Sequence, residues 1–166
     1  SSLYDKEGAS TVHKVMEKAK QKGVKIHIPT DFVCGDKITD DAQVQYRTEE
    51  QGVPDGWLGL DIGDKTLKQF ESVINKSNTI FWNGPAGVFE NENFAKGSKG
   101  LLNAVNEATK RGGVTVCGGG DTLNLIQQVK GSDEHISHIS TGGGASLELM
   151  EGKELPGISA LSDSKD

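Results

Sequence analysis

The chain has 166 residues, of which 34% are hydrophobic and 22 are glycine, and its formal net charge is −6. This length suits one domain, and the many glycines favour an α/β fold with tight corners over an all-helical bundle. The negative charge and the scattered lysines argue against nucleic-acid binding, and no apolar run approaches the roughly 20 residues that span a membrane.

The first part of the chain predicts a helix followed by a strand. Residues 5–22 carry apolar side chains at helical spacing, and Gly23 stands where a helix commonly ends. We therefore expect an amphipathic helix with one face in the core. Residues 24–28 alternate apolar and polar side chains, which predicts a strand that residues 30–33 could extend. The apolar positions of the helix are Val12, Val15, Met16 and Ala19.

An acidic, polar segment follows at residues 34–56. Its carboxylates could suggest a metal site, but they lack the spacing of a calcium loop, so a solvated loop or a hairpin is favoured. The two cysteines, Cys34 and Cys117, belong to no metal-ligand or Cys-x-x-Cys pattern. We expect both thiols to be buried, and a reactive Cys117 beside the glycines is the alternative.

The alternation of strands and helices then becomes regular. Residues 57–63 form an apolar run closed by glycine, which predicts a strand, and Asp64 can cap the helix that follows. Residues 79–82 predict the next strand. The segment 83–90 is too rich in Gly and Pro for regular structure, and in a doubly wound sheet such a loop lies at the carboxyl edge, where ligands bind. A further helix is predicted over residues 99–110.

This loop also offers side chains that suit a nucleoside. Pro85 and Val88 could flank a flat apolar base, and Glu90 could accept hydrogen bonds from sugar hydroxyls. The alternatives are a proline that only rigidifies a turn and a carboxylate that is only solvated.

Two strand-to-helix turns made of glycine carry the strongest signal. The first follows the apolar run 114–117 and ends at Asp121, and the second follows residues 136–140. Glycine lets the backbone approach a ligand, and a helix N-terminus attracts anions. We therefore predict a phosphate cradle in which Asp121 binds Mg²⁺, caps its helix, or does both. For each turn alone, a tight corner or close helix–strand packing is the alternative.

The strands together predict the fold class. Strands near Lys25, Leu58, Ile80, Thr115 and Ile136 indicate an α/β fold with one open, doubly wound, mostly parallel sheet of about five strands. Such an arrangement is Rossmann-like, with three layers and helices on both faces.

Four stretches of the chain, in this order, resemble the carboxyl-terminal, nucleotide-binding part of phosphoglycerate kinase, and the likeness extends over nearly the whole chain. It implies glycolytic phosphoryl transfer between 1,3-bisphosphoglycerate and ADP, with Mg²⁺ and two domains that close on each other. The stretches are Trp57-Leu-Gly-Leu-Asp-Ile-Gly63, Trp82-Asn-Gly-Pro-Ala-Gly-Val-Phe-Glu90, Cys117-Gly-Gly-Gly-Asp-Thr122 and Ser140-Thr-Gly-Gly-Gly-Ala-Ser-Leu-Glu-Leu149.

The resemblance also implies roles for single residues. Asp121 is implied to be the ligand of the Mg²⁺–nucleotide complex, and Glu90 the ribose ligand. The amides of Gly142, Gly143 and Gly144 are implied to face the transferred phosphoryl group as catalytic donors. The other implied contacts with ADP or ATP are Gly59 and Leu60 near the adenine, Pro85 and Val88 in the base pocket, and Asn83, Gly119, Gly120 and Thr122 at the phosphates.

The chain departs from the family pattern at some points. Asp64 stands where the family usually has proline. The amino-terminal substrate domain and the first strands of the nucleotide domain have no counterpart, so residues 1–166 are expected to form a partial carboxyl-terminal domain, incomplete at its start. We expect 1,3-bisphosphoglycerate or 3-phosphoglycerate to bind through that missing domain, and apolar faces of this chain to lie uncovered.

The family also implies a setting and an alternative. Its members are expected to be cytoplasmic and monomeric at full length, with no nucleic-acid or membrane partner. The isolated chain is expected to be inactive, because transfer requires both substrates to be held in line. The alternative is a nucleotide-binding fragment or remnant without catalysis, which the intact glycine triplets and Asp121 disfavour.

Overall fold

The computed structural model describes residues 5–162, and the chain divides into two compact units. The first unit contains the residues up to Val73 together with Ala86–Leu101, and the second contains Ile74–Pro85 and the residues from Leu102 onward. The described residues contain six strands, which form two three-stranded sheets, one in each unit. Within residues 5–162, no helix combines the length and apolar character that a membrane span requires.

The first unit contains an antiparallel sheet. Its elements are α1 (Lys6–Ala9), α2 (Val12–Lys22), β1 (Asp31–Gly35), β2 (Val44–Thr48), β3 (Leu58–Ile62) and α3 (Asp64–Ile74). The strand order is β2-β1-β3, and β1 is antiparallel to both neighbours. Val33, Leu60 and Phe94 form a buried cluster at the centre of this unit, so the sheet is covered by the segment that follows residue 85.

The second unit alternates parallel strands with helices. Its elements are β4 (Thr79–Asn83), α4 (Lys96–Lys110), which begins in the first unit, β5 (Val114–Gly118), α5 (Gly120–Gln128), β6 (His138–Ser140), α6 (Gly143–Met150) and α7 (Pro156–Ser159). The strand order is β4-β5-β6, and both pairings are parallel, as helical crossovers require. The predicted α/β class is therefore confirmed, with its parallel strands in this unit.

The helix predicted over residues 5–22 is interrupted. The hydroxyl of Ser10 donates to the Glu7 carbonyl at 2.7 Å and that of Thr11 donates to the Gly8 carbonyl at 2.8 Å. Such local bonds compete with the helical pattern, and the chain turns there between α1 and α2. The predicted end of α2 is confirmed, because Gly23 follows the helix in the left-handed conformation with φ 68°.

Two predictions for this part of the chain are wrong. The apolar face of α2 is not in a core, because Val12, Val15 and Met16 are each about half exposed. The strand predicted over residues 24–28 is absent, and its apolar side chains are also exposed. Alternation alone does not make a strand, since the backbone also needs a neighbour with which to pair.

The single five-stranded sheet is also wrong, because residues 31–62 form a sheet of their own. In it, β1 and β2 are a hairpin, which confirms the hairpin interpretation of the acidic segment. The carboxylates of that segment serve local bonds: Asp36 accepts from the Gln43 N–H at 2.8 Å, and Asp41 accepts from the Thr39 hydroxyl at 2.7 Å. Among the described residues, no group of three or more His, Cys, Asp or Glu side chains is placed to hold a metal ion.

The cap of α3 comes from a distant strand. The carboxylate of Asp31 accepts from the N–H of Lys65 at 2.9 Å and from that of Thr66 at 2.7 Å. The prediction that Asp64 caps this helix is wrong, because Asp64 is already its first residue and pairs with Lys96 at 2.7 Å.

Candidate functional site

The carboxyl ends of the three parallel strands lie in one row. In the pairing register, Asn83 of β4 is opposite Gly118 of β5, and Gly118 is opposite Ser140 of β6. Each strand therefore leaves the sheet at the same level, and the loops that follow begin side by side. This is the edge at which parallel α/β sheets bind ligands.

The first glycine turn leads directly into α5 without a capping side chain. Its N-cap residue is Gly119, with φ 91° and ψ 139°, a conformation that residues with side chains rarely adopt. The first N–H groups of a helix have no partner within the helix, and no side chain caps them here. Asp121 lies in the first turn and is exposed, so the interpretation of Asp121 as the N-cap is wrong.

The second glycine turn leads into α6 in the same way. Gly142 is the N-cap residue, again without a side-chain cap. A Cβ atom added to Gly143 would stand 2.6 Å from the backbone nitrogen of Gly119 and 2.8 Å from its Cα. The backbones of the two glycine turns therefore touch, and the amino ends of α5 and α6 lie next to each other.

The glycines of the two turns are not required for the same reason. Gly119 needs its left-handed φ, and Gly143 needs the close backbone contact. Gly120 and Gly144 need neither: their φ values are ordinary, and an added Cβ would meet no atom within 4 Å. Open space in front of the first residues of two uncapped helices is the geometry of an anion site.

Asn83 and a clamped turn lie beside the first helix end. A Cβ atom on Gly119 would stand 2.9 Å from Oδ1 of Asn83, so this exposed amide lies over the glycine turn. The next residue, Gly84, has φ 105°; its N–H donates to Oγ1 of Thr122 at 2.8 Å, and its carbonyl accepts from Nε1 of Trp82 at 2.7 Å. Thr122 is fully buried, so its hydroxyl positions this turn. Pro85 follows and is half-buried.

Sequence reasoning missed a pair of serines that hold the second turn. The hydroxyls of Ser140 and Ser146 lie 3.0 Å apart and share a hydrogen bond, and the Ser146 hydroxyl also bonds to the Gly142 carbonyl at 3.1 Å. Ser146 thus ties the end of β6 to the N-cap of α6. No spacing rule connects residues six apart across a strand-to-helix corner, so the sequence carried no signal for this pair.

Cys117 is buried just before the first glycine turn. Its side chain has no exposed surface, and burial raises the pKa of its thiol to about 11. A protonated, inaccessible thiol is a packing residue at neutral pH, so the alternative of a reactive Cys117 is wrong. Cys34 is also fully buried, as predicted.

The residues implied for the base and the ribose lie mainly in the first unit. Leu60 is buried, and its carbonyl accepts from the N–H of Val88 at 2.9 Å, so these two residues are brought together. Val88 is half-buried against the core cluster, and Gly59 is exposed beside Leu60 on β3. Glu90 is exposed, so its carboxylate is accessible to a ligand. The roles of these four residues stay predictions.

Comparison with known proteins agrees with the motifs. A family model described as phosphoglycerate kinase matches residues 1–153. A phosphoglycerate kinase of Euplotes crassus is 68% identical over 163 residues, and one of Schistosoma mansoni is 55% identical over 163 residues. Each alignment covers 98% of this chain and 39% of the relative, so the chain spans about two fifths of the length of these relatives.

Solved structures give the same result. The structure of phosphoglycerate kinase from Coxiella burnetii is similar with a TM-score of 0.86 and 34% identity, over 95% of this chain and 40% of that one. The enzyme from Pyrococcus horikoshii is similar with a TM-score of 0.76 and 31% identity, over 94% of this chain. The chain therefore belongs to the phosphoglycerate kinase family.

Proposed function

We propose that the second unit binds the phosphates of ADP or ATP at the row formed by Asn83 and the amino ends of α5 and α6. In this proposal the chain is the nucleotide-binding part of an enzyme that transfers a phosphoryl group between 1,3-bisphosphoglycerate and ADP. Membership in the family and the names of its relatives support this reaction. We assign no residue of this chain to phosphoglycerate itself, and we propose a cytoplasmic enzyme that is monomeric at full length.

The observation that carries the proposal is the pair Gly120 and Gly144. Alanine is favoured over glycine within helices by up to about 1 kcal/mol, so glycine at a helical position with open space is unfavourable for folding alone. Both residues lie in the first turn of an uncapped helix, and neither has a left-handed φ. A ligand that approaches the backbone closely accounts for glycine at both positions.

Mg²⁺ fits the side chains that are present. Asp121 is exposed in the first turn of α5, and no capping bond occupies its carboxylate. Mg²⁺ commonly binds through one or two carboxylates, phosphate oxygens and several waters, so a single carboxylate beside a phosphate site is sufficient. We propose that Asp121 holds Mg²⁺, which when bound neutralises charge on the nucleotide phosphates.

The amides of Gly142, Gly143 and Gly144 are proposed to stabilise the transferred phosphoryl group. Phosphoryl transfer develops charge on three equatorial oxygens, and preorganised N–H donors stabilise that charge. The contact of Gly143 with Gly119 and the bond of Ser146 to Gly142 hold these amides in place. In this proposal the backbone N–H groups at the start of α6, and not a charged side chain of that helix, serve the phosphoryl group.

Three alanine substitutions test the phosphate site. Gly120→Ala and Gly144→Ala are expected to keep or increase the melting temperature and to weaken pyrophosphate binding about tenfold, by calorimetry. Gly157→Ala is the matched control, because Gly157 lies in α7 with open space around it and an ordinary φ. Gly157→Ala should likewise keep or increase the melting temperature, but it should leave the pyrophosphate affinity unchanged. Unchanged pyrophosphate affinity in all three variants would refute a ligand at these helix ends.

A further inference from the structure

Asp61 is a buried carboxylate in the middle of β3. Its residue is 4% exposed, yet no role in the proposed chemistry uses it. Oδ2 accepts from the N–H of Gly97 at 2.7 Å, and Oδ1 accepts from the N–H of Ile62 at 2.8 Å. A buried carboxylate is unfavourable unless hydrogen bonds compensate for its lost hydration, and these two contacts favour the ionised form.

The carboxylate lies against two backbone segments that have glycine at the contact. A Cβ atom on Gly87 or on Gly97 would collide with Oδ1 of Asp61. Gly97 is the second residue of α4, and Gly87 lies in the loop that leads from Pro85 toward Glu90. Asp61 therefore fills the space between the start of a helix and this loop.

The same loop is fixed at two further points. The buried hydroxyl of Ser98 accepts from the N–H groups of Ala86 at 3.0 Å and of Gly87 at 3.1 Å. The N–H of Val88 donates to the Leu60 carbonyl, the residue before Asp61. The loop is thus attached to β3 and to the first turn of α4, and the Asp61 carboxylate lies where the three segments meet.

The Asp61 carboxyl can change its protonation state near neutral pH. Burial raises the pKa of Asp61 to about 6, against the lowering effect of the Gly97 and Ile62 N–H groups and of Lys96. Lys96 is the charged group that faces it from α4, and it is exposed and paired with Asp64 of α3. Residues 86–89 of the loop and Val33, the residue of β1 opposite Asp61, have no ionisable side chain.

We infer that Asp61 is a positioning residue for the adenosine part of the nucleotide: its ionised carboxylate holds the start of α4, and Ser98 in that first turn holds residues 86 and 87, so that Val88 lies beside the Leu60 backbone where the base is proposed to bind. This inference rests on the proposed function, and it adds a residue that touches no ligand. When the carboxyl is protonated, one oxygen carries a proton and no longer serves as a free acceptor for a backbone N–H. The carboxyl then holds Gly97 or Ile62 less tightly, and the effect reaches the loop through Ser98, the residue after Gly97.

Adenosine is the probe that tests this inference, because it carries no phosphate whose ionisation would confuse the pH dependence. In NMR titrations of the whole chain between about pH 5 and pH 8, wild-type affinity for adenosine is expected to fall as the pH drops through about 6. Asp61→Asn, which keeps only one acceptor, is expected to bind adenosine about three- to tenfold more weakly at pH 7.5, with a flat profile. Pyrophosphate affinity should be unchanged.

Asp64→Asn is the matched control, since Asp64 is exposed and pairs with Lys96, the lysine that also faces Asp61. It should retain wild-type adenosine affinity and its pH dependence. Wild-type protein that binds pyrophosphate but shows a flat adenosine profile would overturn the inference alone, and this result is available even if Asp61→Asn fails to fold. Wild-type protein that binds neither probe would overturn the proposed function together with it.

Discussion

The backbone contact between Gly143 and Gly119 makes a sharp prediction about stability. A Cβ atom at residue 143 would lie 2.6 Å from the Gly119 nitrogen, whereas ordinary contacts begin at 3.4 Å. Neither neighbour is a flexible side chain, so the start of α6 must move by about 0.8 Å to accept alanine. Gly143→Ala should therefore disturb the fold and the phosphate site together.

The expected magnitude follows from two opposing terms. Overpacking costs about 1–3 kcal/mol, and the helix propensity of alanine returns up to about 1 kcal/mol. The net loss is about 1–2 kcal/mol, which for a chain of this size lowers the melting temperature by about 2–8 °C. Displaced N–H groups should also bind pyrophosphate at least about tenfold more weakly, because hydrogen bonds depend steeply on distance and angle.

Urea denaturation and calorimetry of Gly143→Ala and Gly144→Ala provide the measurement. The two substitutions are chemically identical and one residue apart, but residue 144 has open space around it. Only Gly143→Ala should lose stability, while Gly144→Ala should be as stable as wild type or more stable. Equal stability of both variants would refute the backbone contact between the two turns.

Other predictions concern single carboxylates and the chain as a whole. Asp121→Ala is expected to weaken the binding of Mg²⁺–ADP clearly. Without Mg²⁺, its affinity for pyrophosphate should be unchanged or higher, because a carboxylate repels phosphate. Unchanged Mg²⁺–ADP affinity by calorimetry would exclude Asp121 from the site. Glu90→Gln should weaken ADP binding modestly, since a charge-assisted hydrogen bond contributes about 1.5–3 kcal/mol before solvent competes. The affinity for adenine should be unchanged. Equal losses for ADP and adenine would mean that Glu90 acts through the loop. Because the folded pKa of Asp61, about 6, lies above its usual 3.8, this group favours folding most below pH 3.8, and its contribution is lost as the pH rises through about 6. Urea denaturation across this pH range should show a loss of about 3 kcal/mol at most in the free energy of unfolding of the wild type, and Asp61→Asn should lack this loss. The same pH dependence in both proteins would contradict the raised pKa. In a coupled assay with 3-phosphoglycerate and Mg²⁺–ATP, the 166-residue chain alone should give the background rate, because its basic residues are scattered and in-line transfer needs both substrates held; robust turnover would contradict this.

Local patterns were sufficient for most elements of the second unit. The apolar run before the first glycine turn is β5, and the apolar positions after it are on α5. The glycine triplet marked the corner between them because glycine is unfavourable inside a strand and suits a tight turn. The order of strand, glycine turn and helix is a local property, so the sequence alone was enough to predict it.

Pairing between distant segments could not be predicted in the same way. Residues 24–28 have the alternation of a strand, yet they join no strand ladder in the described part of the chain. Residues 44–48 lie in a polar segment, yet they pair with β1 through five register positions. Strand formation depends on which backbone lies alongside, and neither hydrophobic periodicity nor composition contains that information.

Helix caps from distant residues were missed for the same reason. Capping rules consider the few residues before a helix, and they favoured Asp64 for α3. The acceptor is the carboxylate of Asp31, more than thirty residues earlier in the chain. Asp61 likewise accepts from the second residue of α4, 36 residues later. In both cases a strand delivers the carboxylate to a helix end, which only the tertiary fold determines.

The glycine turns show what separates a structural requirement from a functional one. Gly119 and Gly143 would strain or displace the backbone if they carried a side chain, so folding alone explains them. Folding gives no reason for Gly120 or Gly144, where alanine would fit and would favour the helix. In the sequence all four are the same letter within two triplets. The geometry divides them, and the two that the fold does not need are those through which we propose that a phosphate reaches the N–H groups at the start of both helices.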